Sequence, residues 1–187
     1  MPLAVWKMVT VGEGFSESYL LQKLITAGCE IEKEAHEYIR NSVFRRTTRV
    51  RKEVDFALLT VAELGLVHGT FQEIMQKAGE LGLQVCSIEE ALLLRLADCG
   101  GQEMGDEEVE FIPLAMVPAF TTYQHRYSKP SVLCLIGGAA SATGKRELGV
   151  RHLSCTTADG KVLHDGEPEY PWMFVLQRRS RAKTSRP

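Results

Sequence analysis

The run from Val54 to Val61 limits the fold more than any other stretch of this chain. It is nearly continuous apolar sequence, with no alternation between a core face and a wet face. Such a run fits a central strand covered on both sides by other elements. The rest of the chain must therefore supply strands for both its edges and layers for both its faces.

Elements of both kinds are legible around it. Residues Val5 to Val11 alternate apolar and polar and read as a strand, broken at Gly12-Glu13-Gly14. Ser16 can cap a helix whose apolar residues are Tyr19, Leu20, Leu24 and Ile25, with Gly28 as its stop. Ile31, Ala35 and Ile39 recur every four residues and predict a second helix. Thr70 and Glu73 form a capping box before Phe71, Ile74, Met75, Ala78 and Leu81, and Gly82 ends that helix. Ser87 and Glu90 repeat the device ahead of a helix through Ala97, apolar almost all round and hence sandwiched in the core.

Beyond residue 109 the grammar becomes that of strands. Val109, Phe111 and Leu114 lead one, with Pro113 marking an edge or an end. Val132 to Ile136 predicts another, and Trp172 to Leu176 the last. Asp159-Gly160 is a hairpin signal between Leu153–Thr157 and Lys161–Leu163. Helices first and strands later, without regular alternation, predict an α+β fold: a mostly helical N-terminal half packed on a mainly antiparallel sheet from the C-terminal half. The 187 residues suit one globular domain over residues 1–177, followed by a basic, disordered tail over 178–187.

Five cysteines, an odd number dispersed through apolar runs, argue against a disulfide framework and for a reducing compartment. With no signal-peptide pattern and no apolar run of membrane-spanning length, a soluble, cytoplasmic protein without membrane contact is expected.

Three stretches imitate chemical motifs. Val9 to Glu17 reads as strand, glycine turn and helix, but Glu17 stands where a dinucleotide site wants its third glycine. Leu135 to Arg146 approaches a P-loop, yet Ala139 replaces the first glycine and Arg146 the hydroxyl residue, and strands follow it. His152 and Cys155, with His125, Cys134 and His164 elsewhere, suggest a metal or a nucleophile. Residues three apart on a strand face opposite sides, so that pair needs a bulge to share an ion. Asp55 and Glu63 flank the central strand but are ordinary strand-end charges. No cofactor, no metal and no catalytic residue is assigned.

Charge is distributed more tellingly. The net charge is −2, yet residues 40–52 hold Arg40, Arg45, Arg46, Arg49, Arg51 and Lys52 with no acid. The tail adds Arg178, Arg179, Arg181, Lys183 and Arg186, so these two segments carry 11 of the 22 Lys and Arg. Opposing them is an acidic turn with Glu103, Asp106, Glu107, Glu108 and Glu110. A local surface for nucleic acid, another polyanion or an acidic protein partner is expected, with contacts from Arg45, Arg46, Arg49, Arg51 and Lys52. The plainer reading is a solvated loop and an inert tail. Phe44 alone interleaves the basic run, which weakens a stacking mode for single strands.

Several segments carry a resemblance. They are Trp6-Lys7 with Val9 to Gly14, Val54 to Leu66, Ile74 to Cys86, Leu92 to Leu96, Ile112 to Met116 and Trp172 to Leu176. In that order they resemble an uncharacterised bacterial protein family with no assigned activity. The likeness departs at Ser87, where the family usually has proline, and at the leucines after Glu90, and residues 120–165 match it poorly. It implies a bacterial, cytoplasmic domain and transfers no site residue.

The expected function is that of a non-catalytic binding or interaction module with a local basic surface. The alternative is a small enzyme with its site at the helix–strand junction, near Glu63, His68, Cys86, Glu90 and Arg95. The charged residues in that set would serve equally well as helix caps and surface groups.

Overall fold

The computed structural model describes residues 3–42, 50–99, 111–123, 127–137, 146–153 and 171–176. Their order is β1 (Lys7–Val11), α1 (Glu17–Thr26), β2 (Glu30–Ile31), α2 (Lys33–Asn41), β3 (Lys52–Thr60), α3 (Phe71–Glu80) and β4 (Leu83–Gln84). Then follow α4 (Ile88–Cys99), β5 (Phe111–Pro113), β6 (Ala119–Tyr123), β7 (Tyr127–Ile136), β8 (Glu147–His152) and β9 (Pro171–Leu176).

The helix starts obey their local signals. Ser16 Oγ accepts the Tyr19 amide at 3.2 Å. Thr70 and Glu73 close a full capping box, the Glu73 amide on Thr70 Oγ1 at 3.3 Å and the Thr70 amide on Glu73 Oε2 at 2.8 Å. Ser87 and Glu90 do the same for α4, the Glu90 amide on Ser87 Oγ at 3.2 Å and the Ser87 amide on Glu90 Oε2 at 2.8 Å. Each pair satisfies amides that a helix N-terminus leaves without partners. Gly28, at φ 81°, turns the chain out of α1 in a conformation that other residues rarely adopt.

The fold is α+β, but the division into a helical half and a sheet half holds only roughly. The first sheet has the order β1-β3-β9-β4, so three of its four strands come from the N-terminal half. The apolar run is β3, with β1 on one edge and the C-terminal β9 on the other, both antiparallel. The second sheet has the order β2-β8-β7-β5, and β6 also pairs with β7. Its pairings are antiparallel except for the short β2–β8 pair.

Residues 114–116 join the two sheets. Leu114 bridges Met173 and Met116 bridges Cys86, both in parallel. The Ala115 amide donates to Met173 O at 2.9 Å, and the Cys86 amide donates to Ala115 O at 2.6 Å. Helix α4 packs on β1 and α1, while α2 lies on β6, β7 and β8. Trp172, Phe56, Phe174, Leu92 and Leu94 are fully buried in the shared core. Removing one such side chain from water is worth about 1.5–3 kcal/mol.

No helix among the described residues is long and apolar enough to cross a membrane. The expected hairpin at Asp159-Gly160 and the tail over 178–187 lie outside the described residues.

Candidate functional site: an apolar groove beside the basic segment

The end of α2, the turn from β4 into α4 and residues 116–120 enclose a groove of about 860 Å³. That lies in the range of small-ligand sites. Helix α2 reaches it because Ala35, Tyr38 and Ile39 face the sheet. Asn41 then fastens the helix end to the far wall, its Nδ2 donating to Phe120 O at 2.9 Å. Three apolar side chains on the rim stand in water: Val85 (48% exposed), Val117 (71%) and Phe120 (60%).

The polar groups lining the groove already have partners. Tyr38 donates its hydroxyl to Val117 O at 2.6 Å, and burial pushes its phenol well up. Ser42 Oγ donates to Tyr38 O at 2.7 Å, and Ser87 Oγ accepts the Glu90 amide. Cys86 donates its thiol toward Met173 O at 3.8 Å. Burial first, and the Glu90 carboxylate second, push that thiol up, away from a reactive thiolate.

The basic run begins at this groove. Arg40 is exposed on α2, and Ser42, a groove residue, directly precedes residues 43–49. Arg45, Arg46 and Arg49 lie outside the described residues. Arg51 is exposed and meets Glu13 at 3.4 Å, and Lys52 opens β3 opposite Val11.

Of the residues considered for an enzyme, Cys86 and Glu90 lie close together and Glu63 and Arg95 each have hydrogen-bond partners of their own. Glu63 sits in the turn after β3, where its carboxylate accepts the Thr60 amide at 2.8 Å and Thr60 Oγ1 at 3.0 Å. Glu90 caps α4. His68 is exposed. Arg95 is fully buried, with Nη1 on Asp98 Oδ2 at 2.8 Å and Nη2 on Ile136 O at 2.5 Å. Cys86 belongs to the groove.

The imitations of nucleotide motifs also find other uses. The Gly12 amide, which a pyrophosphate would need, donates to Glu89 Oε1 at 3.1 Å. Of the P-loop-like stretch, residues 138–145 lie outside the described residues, while Arg146 meets the Asp98 carboxylate at 3.4 Å. His125, Cys155 and His164 also lie outside them. His152 Nδ1 meets Ser131 Oγ at 2.8 Å, and Ser131 Oγ meets Thr121 Oγ1 at 2.8 Å. Thr121 and Ser131 are fully buried, so this cluster is a cross-strand polar tie. Among the described residues no group of three or more His, Cys, Asp or Glu side chains is placed to hold a metal ion.

Two features were missed at the level of sequence. The groove walls come from Val117 and Phe120, in a stretch with no periodic signal. The buried charges of α4 did carry a signal: a helix apolar all round must bury Arg95 and Asp98, and buried charges are paired. Asp98 accepts Arg95, Lys7 at 3.3 Å and Arg146 at 3.4 Å, so three cations converge on one buried carboxylate.

Comparison with protein-family models, with curated proteins and with solved structures finds no match to this chain.

Proposed function

We propose that the protein is a non-catalytic binding module whose groove takes an apolar side chain of an acidic protein segment, with the basic run that starts at Arg40 on α2 as the electrostatic partner. The observation that carries this reading is the exposure of Val85, Val117 and Phe120 around a groove whose polar groups are already hydrogen-bonded. Exposed apolar side chains around a concave site favour an apolar ligand. Six basic residues without an acid between 40 and 52 favour an acidic one. The alternative, a small enzyme using Glu63, Cys86 and Arg95, has less behind it. Glu63 and Arg95 are each held by structural hydrogen bonds, and the Cys86 thiol is pushed up.

The test is fluorescence anisotropy with a labelled peptide of alternating glutamate and leucine, and with short single- and double-stranded DNA, at about 50 and 200 mM salt. The peptide should bind, more weakly at the higher salt. Phe120→Asp and the pair Arg45→Glu, Arg46→Glu should each weaken it at least tenfold without loss of fold. DNA binding that Phe120→Asp leaves intact, with no peptide binding, would replace this reading by a phosphate-binding one.

A further inference from the structure

The chain carries its own acidic segment with an apolar side chain in it. Between 103 and 110 stand Glu103, Asp106, Glu107, Glu108 and Glu110 with no basic residue, the charge complement of the run over 40–52. Met104 and Val109 are the apolar side chains within that acidic run. An unbranched, polarisable Met side chain fills irregular apolar sites readily. The groove is a site of that kind: none of its lining residues carries a charge, and Val85, Val117 and Phe120 stand exposed on its rim. Glu90, next to the groove, is buried and held by the Ser87 amide. Arg40 is exposed on the helix whose end forms one wall.

The anchored ends of the segment decide which groove it meets. Ile88 lines the groove, and Cys99 closes the opposite end of α4, about 16 Å away along the helix. Met104 is five residues past Cys99, a reach of about 18 Å at full stretch, with nothing left for turning off the helix or crossing to the far wall. Val109 is two residues before Phe111, a reach of about 7 Å. Phe111 pairs with Ile136 and the groove residue Ala119 with Ser131, so the two lie about 17 Å apart along β7. Val109 therefore falls short of its own groove, and Met104 meets it only as a taut line. The groove of another molecule sets no such limit.

We propose that the acidic run of one copy docks in the groove of a second copy, with Met104 entering beside Val117 and Phe120 and the acids facing the basic run that starts at Arg40. This names the partner for the binding reading above and rests on that reading. Each copy brings one groove and one acidic run, so the contact is head-to-tail, and copies add in a chain or close a ring. The attraction between the two runs is screened by salt.

Sedimentation velocity of the full-length protein over a wide range of concentration should show its mass rising at about 50 mM salt and rising less at about 200 mM. Phe120→Asp, Val117→Asp and Met104→Asp should each remain monomeric alone, with an unchanged circular dichroism spectrum. Mixed together, Phe120→Asp and Met104→Asp should form a one-to-one pair that grows no further, since the first supplies the acidic run and the second the groove. A wild type that stays monomeric throughout, or an associating wild type whose two variants fail to pair, would overturn the proposal. If the alternating glutamate and leucine peptide still binds that wild type, the groove reading stands and its occupant is another protein; if the peptide fails too, both fall.

Discussion

Glu89, on the first turn of α4, accepts the backbone amide of Gly12, at the end of β1, through a buried hydrogen bond of 3.1 Å. This bond ties the central helix to the strand it packs against. An amide left buried without an acceptor costs about 1–3 kcal/mol. Glu89→Leu should therefore lower the unfolding free energy by about that amount in urea titrations. Glu89→Gln, which keeps an oxygen in place, should recover most of it.

The Arg95–Asp98 pair should behave as a coupled unit. Removing one member leaves the other charge buried, which costs about 3–5 kcal/mol. Arg95→Met and Asp98→Leu should each destabilise the fold by that order, and the double variant by clearly less than the sum. Additive losses in a double-mutant cycle would mean that Lys7 and Arg146, not Arg95, balance Asp98.

The Glu32 carboxylate accepts the Val150 amide at 3.3 Å, against Gly149, where a Cβ would come within 2.5 Å of Oε2. Burial, helped by the nearby Glu147 and Glu34 and opposed by the Val150 hydrogen bond, raises its pKa above the usual 4.5. Folding therefore favours the protonated form. The stability this gives is complete below about pH 4.5 and is lost as pH rises through the folded value. Glu32→Gln mimics the protonated form and should gain on the wild type as pH rises from 4 to 7. A constant difference would show that Glu32 titrates normally.

His152 shifts the other way. Burial, then the Lys129 charge, lowers its pKa below 6.5, against weaker opposition from Glu34 and Glu37. The neutral ring is the folded form, so stability falls as pH drops below about 6.5. By NMR the ring should titrate below its usual midpoint, and Lys129→Gln should raise that midpoint. No movement in Lys129→Gln would leave desolvation as the whole cause.

Local rules made the helices legible, because capping is settled within four residues: Ser16 with Tyr19, Thr70 with Glu73, Ser87 with Glu90. The apolar run around Phe56 likewise announced a strand with neighbours on both sides. The neighbours themselves were another matter. That β9 lies beside β3, and that residues 114–116 join the sheets, depends on pairings between residues far apart in sequence. Strand β6 was hidden because Thr121 and Ser131 satisfy each other beneath α2, so polar residues occupy a buried face. Of the proposed binding surface, the basic half was read from composition. The apolar half needed Val117 and Phe120 to be placed against Tyr38, which no sequence period encodes.

The position of β9 also sets an order of events during synthesis. Strand β3 has emerged and is ready to pair long before its partner over residues 171–176 has been translated. Until then one edge of β3 stays open, a template for mispairing with other nascent chains. The first sheet therefore cannot close until residues 171–176 have been translated, and the open edge of β3 needs shielding until then.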